Sequence, residues 1–312
     1  MKLKFIKCHG SGNDFVMIDA VAQSIGDVNI GNLAVDVCDR SGGIGADGIL
    51  LLVREGGGYA MRMFNPDGSE AEMCGNGIRC VARLARRYVD SDIFTLRSGG
   101  RDYTVSREAE LGEGIETFGV RIPIALRSAD FGSYVGDADF VGRTIPELDA
   151  DLRFTALSLG NPHIAAECGK ADMAQLERLG ERVKGLKRLF PNGVNVSLFE
   201  VRGENEIFVA TFERGAGITL SCGTAMTAST TAAALLGLCG FGRPVTVRNR
   251  GGMVRCECLR EPLVTKLTGN ATFEYAGTLE SDGEGRVKFD IDVIFDAEIN
   301  AYGVFAEKER GL

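Results

Sequence analysis

The sequence predicts an α+β fold of two pseudo-symmetric domains, each with strands wrapped around a central helix, and an active site in the cleft between them. Two observations carry this prediction. In each half of the chain, short alternating strands precede a Cys-Gly pair and a helical run follows it. Structurally demanding residues also recur at an offset of 148 positions, as in Gly12-Asn13 with Gly160-Asn161 and Cys74-Gly75 with Cys222-Gly223.

The predicted strands occur in the same order in both halves. In the first half they are KLKFIKC, FVMIDA, GILLLV and YAMRMFN, with glycine-rich turns between them. In the second half they are TALSLG, HIAAEC, VNVSLFEV and EIFVATFER. This parallel order supports an internal duplication of one α+β unit.

A helix is predicted after each Cys-Gly pair. In the first helix, apolar residues recur at helical spacing and three arginines lie opposite, at positions 83, 86 and 87. The second, MTASTTAAALLGL, is apolar nearly all round. We therefore expect the second helix to be the more deeply buried.

The domain boundaries follow from this repeat. Residues 1–122 form the predicted N-terminal half and residues 123–267 the C-terminal half. Residues 268–312 are predicted to form a returning strand and a C-terminal hairpin, because Phe289, Ile291, Val293 and Phe295 alternate with polar residues after the turn SDGEG.

Composition and charge restrict the partners. The chain has 312 residues, of which 45% are hydrophobic, and a formal net charge of −8, which argues against nucleic acid or an anionic membrane as a partner. The start, MKLKFIKCHGSGNDF, lacks the apolar run of a signal peptide, and no apolar stretch is long enough to span a bilayer. We expect a cytoplasmic protein that binds a small molecule.

Nine scattered cysteines make a disulfide framework improbable in such a chain, so we expect reduced thiols. Zinc is an alternative, because Cys256 and Cys258 form a C-x-C pair and the chain has two histidines, but no CxxC pair supports it. In MVRCECLRE, alternation predicts a strand with both cysteines facing the core.

The two Cys-Gly pairs suggest a specific chemistry. Each thiol would sit at a helix N-terminus, which offers unpaired N–H groups to a carboxylate and stabilises a thiolate. Opposed thiols around an α-carbon could remove a proton from one face and return one to the other, which is racemisation. Asparagines and the Glu213-Arg214 pair would line the polar cleft, although each Asn, His163 and the ion pair alone also have ordinary structural explanations.

Five segments resemble the signature motifs of the diaminopimelate epimerase family. They are HGSGNDF, FNPDGSEAEMCGNGIRC, SLGNPH, GVNVSLFEV and FERGAGITLSCGTA, and the resemblance covers roughly residues 1–279. It implies two mirrored α+β domains, commonly in a homodimer, and an enzyme without a cofactor or metal that acts in lysine and peptidoglycan synthesis.

The resemblance also implies a role for each site residue. Cys74 and Cys222 would be the acid and base, with His163 and Glu213 tuning the thiols. The α-carboxylate would bind at Gly75-Asn76 and Gly223-Thr224. The remaining substrate contacts would come from Asn13, Asn65, Asn161, Asn195 and Arg214.

Two positions depart from the family pattern. Gly48 stands where many members have a substrate-contacting glutamine, and Ala225 replaces a glycine near the start of the second helix. Racemisation of another amino acid on the same scaffold therefore stays open. A thiol-rich zinc-binding or redox module is a weaker alternative.

Overall fold

The structure, a computed structural model, describes residues 2–26, 28–281 and 286–310. These residues form two compact units. The first unit comprises Met1–Val120 together with Thr268–Leu312, and the second comprises Arg121–Leu267. Within the described ranges, no helix is both long and apolar enough to cross a membrane.

The chain up to residue 123 builds most of the first unit. Its elements are, in order, β1 (Lys2–Gly10), β2 (Asn13–Asp19), α1 (Ile30–Cys38), β3 (Ile49–Glu55), β4 (Gly58–Phe64), β5 (Glu70–Ala71), α2 (Gly75–Ala85), β6 (Ile93–Ser98), β7 (Arg101–Arg107) and β8 (Thr117–Pro123). β1 pairs antiparallel with β2, β2 parallel with β3, β3 antiparallel with β4, β4 parallel with β6, and β6 antiparallel with β7.

The second unit repeats this series. Its elements are α3 (Ser133–Gly136), β9 (Arg143–Ile145), β10 (Asp149–Ser158), β11 (Pro162–Glu167), α4 (Met173–Val183), β12 (Asn195–Gly203), β13 (Glu206–Glu213), β14 (Gly217–Ile218), α5 (Gly223–Leu235), β15 (Pro244–Asn249), β16 (Gly252–Leu259) and β17 (Val264–Asn270). From β10 to β16 the pairings are again antiparallel, parallel, antiparallel, parallel and antiparallel. The shared topology confirms the predicted α+β class and the internal repeat.

The central helix of each unit contacts strands on several sides. α2 packs against β1, β2, β3, β4 and β7, and α5 packs against β10, β11, β12, β13, β15 and β16. The prediction that α5 is the more deeply buried helix is wrong, because each helix buries all of its residues except one. Arg79 is fully enclosed, and Arg83 is partly covered by an ion pair with Glu298.

Two further helices, which the sequence analysis did not predict, cover the opposite faces of the sheets. α1 follows β2 and α4 follows β11, so they occupy equivalent places in the repeat. Asn29 caps α1 at the N–H of Asn32, and Asp172 caps α4 at the N–H of Ala174. Because helices cover both faces, strands such as ILLL at the start of β3 are continuously buried.

The C-terminal segment returns to the first unit. β18 (Thr272–Ser281) pairs antiparallel with β1, and β19 (Val287–Ile294) pairs antiparallel with β18. Residues 282–285 of the predicted hairpin turn lie outside the described residues. The hairpin prediction missed α6 (Asp296–Arg310), which begins directly after Phe295 and buries Tyr302, Phe305 and Ala306 at helical spacing.

Candidate active site

Cys74 is the N-cap residue of α2. Its backbone is extended, and its sulfur accepts the N–H of Gly77 at 3.3 Å, which satisfies one of the unpaired donors of the first helical turn. The helix N-terminus also places partial positive charge beside the sulfur. The residue is half-buried.

Asn13 joins this thiol to the start of β2. Its Oδ1 lies 3.8 Å from the sulfur of Cys74 and accepts a hydrogen bond from Nδ2 of Asn76 at 3.3 Å. Its Nδ2 donates to the carboxylate of Asp47 at 2.6 Å. The structure therefore brings together four predicted site residues of the first unit, Asn13, Cys74, Gly75 and Asn76.

Arg79 supports this group and was missed by the sequence analysis. Its guanidinium is fully buried and donates to the carbonyl of Gly75 at 2.9 Å, to Oδ1 of Asn76 at 3.1 Å and to the carbonyl of Asn270 at 3.2 Å. By helical spacing Arg79 lies on the same side as Arg83 and Arg86, so no signal in the sequence marks it as buried. A fully buried arginine needs such acceptors.

Asn65 forms its hydrogen bonds within its own turn. Its backbone N–H donates to the carbonyl of Ser69 at 2.8 Å, and its Nδ2 donates to the hydroxyl of Ser69 at 3.0 Å. The Asn65 side chain is half-buried in a turn after β4.

Cys222 caps α5 as Cys74 caps α2. Its backbone is likewise extended, and its sulfur lies 3.5 Å from the hydroxyl of Thr224. The side chain is only 8% exposed. Burial raises the pKa of the Cys222 thiol well above its usual range, and the carboxylate of Glu213 raises it further, while the Thr224 hydroxyl lowers it.

A chain of polar side chains extends from Thr224 into the second unit. Nδ2 of Asn161 donates to the Thr224 hydroxyl at 3.3 Å, and Oδ1 of Asn161 lies 3.0 Å from Nε2 of His163. Nδ2 of Asn195 approaches the same ring nitrogen at 3.3 Å, and Oδ1 of Asn195 accepts the backbone N–H of Arg214 at 2.9 Å. These predicted site residues thus form one network.

His163 is uncharged in this network. Burial lowers its pKa to about 3, and the positive charge of Arg214 acts in the same direction. Nδ1 of His163 is buried without a hydrogen-bond partner in the described chain. With its proton on Nε2, His163 donates to Oδ1 of Asn161, while Nδ1 is left as an unpaired acceptor and Nδ2 of Asn195 makes no hydrogen bond to the ring. This tautomer frees the Thr224 hydroxyl proton for the Cys222 sulfur.

Glu213 and Arg214 follow each other at the end of β13 but face different partners. Glu213 accepts the hydroxyl of Thr219 at 2.6 Å and raises the pKa of the Cys222 thiol, as described above. The exposed guanidinium of Arg214 donates to the carbonyl of Asn192 at 2.9 Å. Arg214 also lines a cavity of about 260 Å³ together with Lys184 and Lys187, so this part of the second unit favours an anionic group.

The two departures from the family pattern differ in consequence. A Cβ added at Gly48 would lie 2.7 Å from the carbonyl oxygen of Phe64, so a glutamine there requires a shift of the backbone. Ala225 is fully buried in a regular α5. Alanine at this position is compatible with the same helix start as in α2.

The cysteines give no indication of a metal centre. All nine are free thiols, and both Cys256 and Cys258 are buried on β16, as the alternation predicts. Across the part of the chain that the structure describes, no group of three or more His, Cys, Asp or Glu side chains is arranged to hold a metal ion.

Solved structures with the same fold include several epimerases and racemases. A probable proline racemase from Agrobacterium radiobacter K84 matches with a TM-score of 0.65 at 15% identity, covering 98% of this chain and 99% of that one. A PhzF-family phenazine biosynthesis protein from Bacillus anthracis also matches with a TM-score of 0.65 at 15% identity, covering 90% of this chain and all of that one. At this identity the likeness concerns the fold alone.

Sequence relatives identify the family. The family model for diaminopimelate epimerase matches residues 5–115 and 155–274. The diaminopimelate epimerase of Clostridium acetobutylicum is 36% identical over 99% of this chain and 96% of its own length. That of Ligilactobacillus salivarius is 38% identical over 81% of this chain and 82% of its own length. The chain therefore belongs to the diaminopimelate epimerase family and is an isomerase.

Proposed function

We propose that this enzyme interconverts LL-2,6-diaminopimelate and meso-diaminopimelate with Cys74 and Cys222 as its acid and base. The observation that carries the proposal is the repeated helix start. In each unit, a cysteine is the N-cap of a fully packed central helix, and glycine follows it. The repeat thus supplies two equivalent thiols, as a reaction on two faces of one carbon requires.

The proposed reaction balances without a cofactor. The thiolate of one cysteine takes the α-proton, and the C–H electron pair stays on the α-carbon as carbanion character delocalised into the carboxylate. The thiol of the other cysteine then gives its proton to the opposite face of that carbon. After one turnover the two cysteines have exchanged protonation states, so the reverse reaction uses them in the opposite roles.

Stabilisation of the carbanion is the difficult part of this reaction. A thiol has a reference pKa of about 8.5, and the α-hydrogen of an amino acid is far less acidic. In the proposed complex, the backbone N–H groups of Gly75-Asn76 and Gly223-Thr224 bind the α-carboxylate. Each such donor can contribute roughly 3–4 kcal/mol by analogy with oxyanion holes.

His163 and Glu213 act on the second thiol in this proposal. The carboxylate of Glu213 makes deprotonated Cys222 a stronger base, because it raises the pKa of that thiol. Neutral His163 fixes Asn161, which in turn orients the hydroxyl of Thr224 toward the sulfur. Both residues would set the protonation of Cys222 rather than bind the α-carboxylate.

The distal end of the substrate needs a different set of groups. We assign its carboxylate and amino group to Arg214, Asn65, Asn161 and Asn195, with Asn13 also lining the pocket. The positive charge around Arg214 and the neighbouring cavity support binding of an anionic end. In this assignment, an amino acid without a distal carboxylate is a poor substrate.

The family context supports the wider biological assignment. We propose that the reaction serves lysine and peptidoglycan synthesis in the cytoplasm and that the protein acts as a homodimer. Light scattering of the purified protein at several concentrations tests the oligomeric state, and a purely monomeric result would reject the dimer.

A substrate panel tests the proposed reaction. Purified enzyme is incubated with LL-diaminopimelate, L-lysine, L-glutamate and L-proline, and stereoisomers are separated by chiral chromatography. We expect conversion of diaminopimelate only, and a loss of about 10³-fold in Cys74→Ala and in Cys222→Ala, within the range for acid–base groups. Conversion of a different amino acid at a higher rate would favour the alternative, a two-thiol racemase with another substrate.

A further inference from the structure

The side-chain amides near Cys74 form a hydrogen-bonded chain with a charged group at each end. At one end the buried guanidinium of Arg79 can only donate, so the oxygen of the Asn76 amide must face it, at 3.1 Å. The NH₂ group of Asn76 then faces Asn13 and requires the oxygen of that amide, at 3.3 Å. The orientation of each amide follows from its partner.

The opposite end gives the same orientation independently. The carboxylate of Asp47 can only accept, and it lies 2.6 Å from Nδ2 of Asn13. Both ends therefore place Oδ1 of Asn13, and not its NH₂ group, beside the sulfur of Cys74 at 3.8 Å.

Asp47 is itself held in place. It also accepts the backbone N–H of Asp14 at 3.1 Å and an N–H of Arg40 at 2.8 Å. Its own backbone N–H donates to the carbonyl of Asp14 at 2.8 Å. Such a carboxylate can fix a neighbouring amide, because its position does not depend on Asn13.

We propose that Asp47 is a positioning residue, which fixes the amide of Asn13 so that its oxygen accepts the S–H of Cys74. The proposal deepens the proposed function and rests on the role given there to Cys74. An acceptor beside the sulfur favours the thiol over the thiolate, whereas an N–H donor would favour the thiolate. Asp47 thus biases Cys74 toward the proton-donating form without touching the substrate.

The second unit has no equivalent of this carboxylate. The residue 148 positions after Asp47 is Asn195, which contacts His163 instead. The charged groups connected to Cys74 through the first-unit chain include Arg79 on its own helix, Asp47 before β3, and Arg40, Asp14 and Lys7 beyond Asp47. A change at Asp47 should therefore act on one thiol and not on the other.

Alkylation of Cys74 measures the bias directly. The rate of its reaction with iodoacetamide is followed from pH 6 to 10 by peptide mass spectrometry, and the midpoint reports the thiol pKa. In Asp47→Ala, Asn76 alone still holds the oxygen of Asn13 toward the sulfur, so the amide can turn its NH₂ group toward the thiolate whenever that single bond opens. We expect a midpoint lower by about half to one pH unit, which corresponds to about three- to tenfold faster alkylation at pH 7.

Two matched variants separate orientation from charge. Asp47→Asn removes the negative charge but keeps an acceptor for Asn13, so the midpoint of Cys74 alkylation should equal that of the wild type. Arg40→Ala removes the ion pair but keeps Asp47, so the midpoint of Cys74 alkylation should also equal that of the wild type. Asp47→Ser, whose side chain is too short to reach Asn13, replaces Asp47→Ala if that variant does not fold.

The proposal is overturned if Asp47→Ala leaves the midpoint unchanged or if Asp47→Asn shifts it equally. The first result means that the amide does not depend on Asp47, and the second means that only the charge matters. Because alkylation needs no substrate, either result is independent of whether the wild-type enzyme epimerises diaminopimelate. Failure of the proposed function appears separately, in the turnover assay.

Discussion

Each unit holds one half of the proposed active site, a half-site. The first half-site consists of Cys74, Gly75, Asn76 and Asn13, and the second consists of Cys222, Gly223, Thr224 and Asn161, at equivalent positions of the repeat. Both place a thiol at the N-cap of a central helix. The duplication has kept the backbone geometry, while the supporting side chains have diverged.

In each half-site, one side chain donates to the carbonyl of the glycine that follows the cysteine. These two side chains, the anchors, show this divergence most clearly. In the first, buried Arg79 donates to the carbonyl of Gly75 at 2.9 Å. In the second, the equivalent residue, Thr227, donates its hydroxyl to the carbonyl of Gly223, also at 2.9 Å. The same carbonyl is therefore bonded by a charged group with several acceptors in the first half-site and by a neutral group with one acceptor in the second.

The side chains that face the two sulfurs also differ. An amide oxygen of Asn13 faces Cys74, whereas a hydroxyl of Thr224, which can donate, faces Cys222. In the proposed mechanism the two thiols hold opposite protonation states, and this asymmetry favours one of the two arrangements. Four predictions test this comparison of the half-sites, in order from the largest expected effect to the smallest.

Removing the two anchors should lower the free energy of unfolding by very different amounts. Arg79→Met leaves at least three buried acceptors without their donor, so we expect a loss of about 3–5 kcal/mol in the free energy of unfolding. Thr227→Val removes one neutral hydrogen bond, with an expected loss of about 1 kcal/mol. Urea unfolding at pH 7 measures both, and equal losses would contradict the contrast between charged and neutral anchors.

The histidines should make the protein sensitive to acid. The pKa of His163 is lowered to about 3 and that of His9 to about 4, both by burial, so the unfolded chain binds these protons first as pH falls below about 6.5. The free energy of unfolding should therefore decrease from pH 6.5 downward, by about 2 kcal/mol per histidine at pH 5.

Single histidine variants isolate each contribution. His163→Gln should show a shallower decrease than the wild type between pH 6.5 and 5, by the equivalent of one proton. His9→Gln, the matched control from the first unit, should do the same. An unchanged slope in His163→Gln would mean that this imidazole is not held neutral by burial.

The hydroxyl beside Cys222 should affect the pH dependence of turnover. Thr224→Val removes the donor and keeps the backbone N–H, so the pKa of the Cys222 thiol should rise further. We expect the ascending limb of kcat against pH to move upward by about half to one pH unit, with up to tenfold slower turnover at pH 7. Thr224→Ser should keep the wild-type profile, and a shift in this control would indicate a packing effect instead.

The smallest effect concerns the family departure at the start of α5. Ala225→Gly restores the family residue, and we expect it to destabilise the protein by about 1 kcal/mol through the greater backbone freedom of glycine. Turnover should not change, because α5 already begins regularly at Gly223. Ala232→Gly, deeper in the same helix, is the control, and a much larger loss for Ala225→Gly would indicate a special role for this alanine.

Features that depend on local sequence were the most predictable. Alternating strands, helical runs and the repeat predicted the strands of both halves and placed both cysteines at helix starts. The supporting contacts could not be predicted, because they join residues that are distant in the sequence. Arg79 bonds to Asn270, which is 191 positions away, and Asp47 bonds to Asn13 at the start of β2. The same reason applies to α6, whose buried face is covered through long-range contacts with β18.

Proton exchange in deuterated water tests the central claim most directly. Proton NMR follows LL-diaminopimelate with the wild-type enzyme, Cys74→Ala and Cys222→Ala. The two-thiol account predicts that deuterium enters one α-carbon as the meso isomer forms, and that both variants lose this conversion. Meso product that retains its α-proton, or full conversion by either variant, would contradict it.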